Sequence, residues 1–107
     1  MDLREMQKAV YRNKVDHHFN VTDVKYEFCL LYGEVAEAFD AYNKRRGSVG
    51  EELADVAIYL LGLAEILGVD LKDEIERKMA VNRQRVYDVG DGVVRRIYDP
   101  GREEEEK

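Results

Sequence analysis

Apolar residues recur along most of the chain at helical spacing, and the period changes only past residue 86. Leu3, Met6 and Val10 sit three and four apart in an otherwise polar stretch, which predicts a first helix over residues 1–14. A polar loop, Asp16–Thr22, holds both histidines. Thr22 is a suitable N-cap for a second helix reaching about Arg46. Val24, Phe28, Leu31, Val35, Phe39 and Tyr42 form its expected core stripe. Lys44, Arg45 and Arg46 fall in its last turn, where cations favour the negative end of the helix dipole, and Gly47 is the expected stop. Ser48 and Glu51 have the spacing of a capping box at the head of a third helix.

The body of that helix, Leu53–Leu67, is apolar nearly all round, broken only by Asp55, Tyr59, Gly62 and Glu65. A helix apolar on every side must be covered on every side. A chain of 107 residues has few elements to do this, which predicts cover from a second subunit. Gly68 is the expected stop, and Asp70 the expected cap of a fourth helix from Leu71 to about Tyr87. Beyond it, Val86–Tyr98 is rich in Val, Ile and Tyr around Gly90-Asp91-Gly92, which predicts a short hairpin or extended arm. The expected fold class is all-α: a four-helix bundle with that arm, residues 1–100 forming one domain. Residues 101–107 are expected to be a disordered acidic tail.

Composition narrows the function classes. A formal net charge of −6 argues against binding to a nucleic-acid polymer, which needs a basic face. A nucleotide substrate stays open, because a bound cation inverts the local field. The single Cys29 excludes an intrachain disulfide and a cysteine zinc cluster. No apolar run reaches the roughly 18–20 residues that span a bilayer. The N-terminus lacks a signal-peptide pattern, so the expected location is cytoplasmic.

Candidate chemistry concentrates in Glu34-x-x-Glu37 and Glu52-x-x-Asp55, separated by fourteen residues. Residues three apart share one side of a helix, so each pair can aim two acids at one spot. With 23 acidic residues in the chain, a lone ExxE says little. Position adds weight. At about 100° per residue, Glu34 falls between Ala38 and Ala41, Glu37 near Leu30, Glu52 between Leu63 and Tyr59, and Asp55 beside Ile66 and Gly62. These are faces a fold should bury, and the third helix has no Lys or Arg to neutralise the acids. A hard divalent ion with oxygen ligands would, Mg2+ first and Mn2+ as a substitute. Lys78, Asn82 and Arg85, spaced i, i+4, i+7, form either an ordinary charged edge or a polyphosphate clamp.

The remaining candidates have plainer readings. His17 and His18 read as a solvated loop pair, since imidazole suits softer metals than an oxygen-rich site takes. Cys29 falls on the solvent side of the second helix. Tyr26, Tyr32, Tyr42 and Tyr59 could stack on a base, but packing is the commoner role. Phe19 and Phe28 are expected in the core.

The two acidic motifs, EVAEAFDA and EELADVAIYLLGLAEILGVDL around them, and KMAVNRQR at residues 78–85 together resemble the MazG-like all-α nucleoside triphosphate pyrophosphohydrolases. The resemblance covers Val24–Val86. It departs at Gly33, where many members carry a further glutamate. It implies a MazG-like bundle, assembled as a homodimer or homotetramer. It also implies Mg2+-dependent cleavage between the α and β phosphates of a nucleoside triphosphate, giving a monophosphate and pyrophosphate. The family's metal ligands carry over to Glu34, Glu37, Glu52 and Asp55, and its Lys–Asn–Arg segment to Lys78, Asn82 and Arg85. Two alternatives share these features: a pyrophosphohydrolase for phosphoribosyl-ATP or dUTP, and a non-catalytic helical dimer that binds a nucleotide or a partner. A ferritin-like di-iron site needs ExxH on two helices, whereas both histidines here precede the second helix.

Overall fold

A computed structural model describes residues 1–100. The acidic tail expected at 101–107 lies outside the described residues. The order is α1 (Leu3–Asp16), α2 (Val24–Asn43), α3 (Val49–Ile66), α4 (Leu71–Gln84), β1 (Val86–Asp88), a 3-10 turn (Gly90–Gly92) and β2 (Arg95–Tyr98). Over the described residues the protein is thus mainly helical, with four helices and one small two-stranded sheet. Its contacts divide it into two compact units, Met1–Leu71 and Lys72 onward. Among the described residues, no helix is long and apolar enough to cross a membrane.

In the first unit α3 packs against both α1 and α2. The buried apolar residues are Ala38 and Ala41 of α2 and Leu61, Leu63 and Ala64 of α3. The small side chains of Ala38, Ala41 and Ala64 let the helices approach closely, with Leu61 and Leu63 filling the space beside them. The face of α2 turned inward therefore runs through Glu27, Glu34, Ala38 and Ala41. Most of the expected core stripe points the other way: Val24 and Leu31 are half-buried, but Phe28, Val35, Phe39 and Tyr42 are exposed, and so are Phe19, Leu53, Ile58 and Leu60. On α2 side-chain size misled the reading, because Ala38 and Ala41 hold the inter-helix contact and the larger Phe28, Val35, Phe39 and Tyr42 are left outside.

On α1 the inward stripe is Leu3, Gln7, Val10 and Lys14, with the two polar members buried. Gln7 Nε2 donates to Glu65 Oε2 (2.9 Å) and to the Val69 carbonyl (2.6 Å), while its Oε1 accepts the Leu71 N–H (3.2 Å). It therefore ties α1 to the end of α3 and to Leu71, the last residue of the first unit. Asp70 accepts from Arg4 Nε at 2.6 Å.

Helix boundaries differ from expectation for local reasons. Asp23, not Thr22, caps α2, accepting from the Tyr26 N–H at 3.1 Å. Ser48 precedes α3 without a side-chain cap bond, so the expected capping box is absent. α1, α2 and α3 end in one motif. The first residue past the C-cap is left-handed (His18 φ 59°, Arg45 φ 54°, Gly68 φ 69°), and the next N–H reaches back to Lys14, Ala41 or Ala64 at 2.9 Å. α2 thus stops at Asn43, before the Gly47 expected to end it. α4 ends at Gln84, because Val86 and Tyr87 have already entered β1.

In the second unit, β1 and β2 form the expected hairpin. The pairs are Val86 with Tyr98, Tyr87 with Arg96 and Asp88 with Arg95, with a register irregularity between Val86 and Tyr87. Gly92 takes φ +72° in the connection, a conformation that favours glycine.

Candidate metal centre

The packing of α2 on α3 brings three predicted acids together. One carboxylate oxygen from each of Glu34, Glu37 and Glu52 lies within 4.8 Å of the others. Glu34 and Glu37 are one turn apart on α2, and Glu52 stands in the first turn of α3, where the positive end of the helix dipole favours an anion. Glu34 and Glu52 are half-buried and Glu37 is exposed. Asp55 is exposed and stays outside that group of three, contrary to its expected burial, though its charge still acts on Glu34.

The cluster is not self-sufficient. Oε2 of Glu34 and Oε2 of Glu52 are both buried and, among the described residues, accept no hydrogen bond. A buried acceptor left unpaired costs about 1–3 kcal/mol, more when charged. Desolvation pushes the Glu34 carboxyl above its ordinary value, and the charges of Glu37, Asp55 and Glu52 push it further. Two unpartnered oxygens facing a concentration of negative charge match the needs of a hard cation. Glu34, Glu37 and Glu52 are placed to bind one directly, with Asp55 at the margin.

Tyr59 follows Asp55 by one turn. Its hydroxyl is held above the ordinary phenol value by burial and then by Glu34, Glu27, Asp55 and Glu37. The Lys14 ammonium lies 5.4 Å from the centre of its ring. Lys14 also forms a buried ion pair with Glu27, whose other oxygen accepts from Asn20 Nδ2 at 3.2 Å. This pair escaped the sequence reading. The available signal was Lys14 standing four residues past Val10 on the stripe that faces α3. Two adjoining clefts open over it, of about 310 and 240 Å³, sharing Lys14, Phe19 and Tyr59. Asn13 lines the first and Asn20 the second. His17 Nδ1 lies 2.9 Å from the Asn13 carbonyl, a local loop contact, and Cys29 is exposed as expected.

The predicted basic segment lies in the second unit. Lys78 and Asn82 are exposed on α4, and Arg85 sits just past its end. Arg85 Nη1 donates to Asn82 Oδ1 at 2.6 Å and Nε to Asp99 Oδ1 at 2.9 Å. Sequence reasoning did not foresee Asp99, which lies fourteen residues past Arg85 and is brought back by the hairpin.

Two helices that present opposed carboxylates define a class of all-α proteins suited to holding a hard cation on an acidic inter-helix face. Within that class the chain belongs to the MazG-like family, whose profile matches residues 29–94. Three curated relatives are similar over shorter stretches. A dATP/dGTP diphosphohydrolase of Salmonella phage PMBT28 is 42% identical over 48% of this chain and 18% of its own length. A dCTP pyrophosphatase 1 of Mus musculus is 50% identical over 39% of this chain and 25% of its own. A dATP/dGTP diphosphohydrolase of Cyanophage S-2L is 47% identical over 43% of this chain and 45% of its own. The matched stretch thus spans less than half of each relative. No solved structure matches the chain significantly.

Proposed function

We propose that the protein is a divalent-metal-dependent nucleoside triphosphate pyrophosphohydrolase, cleaving between the α and β phosphates to release a monophosphate and pyrophosphate. The observation that carries this reading is the pair of buried oxygens on Glu34 and Glu52, unpartnered among the described residues, inside a three-carboxylate cluster. Membership of the MazG-like family and relatives named for deoxynucleotide hydrolysis support it, and favour deoxynucleoside triphosphates as substrates.

Glu34, Glu37, Glu52 and Asp55 would hold the ion, Mg2+ or Mn2+. When bound, such an ion polarises a phosphoryl oxygen and lowers the pKa of water at the site. Glu37 and Asp55, the more exposed acids, are best placed to accept a proton from an attacking water. Lys78, Asn82 and Arg85 supply donors for phosphate oxygens. The two adjoining clefts beside Phe19 and Tyr59 offer aromatic faces to a base, one with the Asn13 amide and the other with that of Asn20.

The exposed aromatic face of α2 and the open apolar positions of α3 support a homodimer or homotetramer. A cytoplasmic location is part of the same proposal, since it is where nucleotide pools lie.

The test is incubation with each ribo- and deoxynucleoside triphosphate, with Mg2+ or with EDTA, for wild type and Glu52→Gln. Monophosphate plus pyrophosphate, lost with EDTA and in the variant, is the expected result. Orthophosphate released in place of pyrophosphate would sink the α–β assignment.

A further inference from the structure

Asp99 is one of the few charged residues that the second unit buries, with 9% of its surface exposed. It stands just past β2, and both its oxygens are engaged. Oδ1 accepts from Arg85 Nε at 2.9 Å, and Oδ2 accepts from Arg96 Nη1 at 2.6 Å. The Arg85 side chain is itself largely covered, with 13% exposed. The family match ends at residue 94, so Asp99 and Arg96 come from a part of the chain that the family does not define.

We infer that Asp99 is a positioning residue that aims the Arg85 guanidinium at a phosphate group. This rests on the phosphate-binding role proposed for Arg85. A free arginine head samples many orientations, and fixing it in advance reduces what is lost on binding. Here it is fixed at two corners: Nε is held by Asp99 and Nη1 by Asn82. Nη2, with its two donors, has no acceptor among the described residues. It is left for a phosphate oxygen.

Charge fits the same role. A one-to-one pair of Arg85 with Asp99 would be neutral and would attract an anion weakly. Arg96 on the second oxygen brings the three side chains to a net +1, so the anchored guanidinium keeps its pull on phosphate. The hairpin holds this arrangement in place. Arg96 sits in β2 opposite Tyr87, and Asp99 follows directly after the strand.

The probe is inorganic tripolyphosphate with Mg2+, titrated calorimetrically into wild type, Asp99→Asn, Asp99→Ala, Arg85→Ala and the Arg85→Ala/Asp99→Ala double variant. KM and kcat for the hydrolysed triphosphate are measured alongside. Loss of an oriented, charge-assisted contact predicts about tenfold weaker tripolyphosphate binding and a similar rise in KM for Asp99→Ala, with kcat within about twofold. Asp99→Asn keeps an acceptor for Nε and should lose less. Should the alanine variant fail to fold, the asparagine variant is read in its place, with Asp99→Glu as the charge-restoring control.

The double variant should bind no more weakly than Arg85→Ala alone, because Asp99 acts through Arg85. A further loss in the Arg85→Ala background would mean that Asp99 acts through the fold, and would overturn the inference. Unchanged binding in the Asp99 variants would overturn it too. Tighter binding would show instead that Asp99 competes with phosphate. If wild type hydrolyses triphosphate but Arg85→Ala binds tripolyphosphate normally, this inference fails and the proposed reaction stands. If wild type neither binds nor hydrolyses, the proposed function fails and takes the inference with it.

Discussion

Glu34 and Glu52 each carry a buried oxygen with no partner among the described residues, so the metal-free protein holds charge it would be more stable without. Glu52→Gln should therefore leave the metal-free protein as stable as wild type or more so, while abolishing turnover. Mg2+ titrated against thermal unfolding separates these effects. Wild type should gain about 2.7 kcal/mol at a hundredfold excess over Kd, and the variant little. The pH dependence follows from Glu34, whose folded-state carboxyl titrates above its ordinary value because of desolvation and then Glu37, Asp55 and Glu52. Between the unfolded and folded values the native state binds more protons, so stability falls as pH rises through that window. In EDTA, wild type should become more stable as pH is lowered from neutral towards the ordinary carboxylate range, and Glu34→Gln should show a flatter profile. A wild-type curve no steeper than the variant's would remove Glu34 as the cause. The Lys14–Glu27 pair behaves differently, because both partners are buried and joined. Removing one leaves the other charge uncompensated, so Lys14→Met should cost about 3–5 kcal/mol in denaturant unfolding. Replacing both with apolar residues should cost far less.

At the level of elements, the helices were legible because their apolar spacing is regular, and the hairpin because Val, Ile and Tyr flank a Gly-Asp-Gly turn. The closeness of Glu34 and Glu37 was legible because i, i+3 spacing survives whatever surrounds it, whereas Asp55 stays outside the group that these two form with Glu52. Three things were hidden. Which face of α2 turns inward depended on Ala38 and Ala41, whose value lies in letting α3 approach rather than in their own apolar area. Where α1 and α2 stop depended on left-handed residues that are not glycine: His18 and Arg45 occupy the position that Gly68 fills after α3. A side chain there costs roughly 1–2 kcal/mol. Glycine avoids this but gives the unfolded chain extra freedom worth about 0.5–1 kcal/mol. Arg45→Gly should therefore stabilise by about half to one kcal/mol in a urea titration, with no change in turnover. Destabilisation would mean that the Arg45 side chain makes a contact worth more than its strain. Asp99 was hidden for a third reason, since its partner Arg85 is a neighbour only once the hairpin has closed.

Across the whole molecule, what the chain leaves exposed says as much as what it buries. Phe28, Tyr32, Val35, Phe39 and Tyr42 recur at i, i+4, i+7, i+11 and i+14, which places them on one face of α2. Tyr32, Phe39 and Tyr42 are 74%, 66% and 70% exposed. Soluble monomers seldom present a contiguous apolar face of this kind, and the net charge of −6 spread over a small chain does not cover it. In the proposed oligomer, Phe28, Val35, Phe39 and Tyr42 of the stripe that the pattern marked as core would be core between copies. On this argument the 12.4 kDa chain should elute and scatter as a dimer or larger, and its thermal midpoint should rise with protein concentration. Phe39→Lys with Tyr42→Lys places two like charges on that face without touching the acids that turn inward. The double variant should run at monomer mass by light scattering, lose the concentration dependence and unfold at lower temperature. Wild type at monomer mass across micromolar concentrations would end the oligomer proposal. A monomeric variant that keeps full turnover would show that the carboxylate cluster needs only one chain. Turnover lost together with assembly, and restored at high protein concentration, would show that the open faces of α2 and α3 must be covered before the site works.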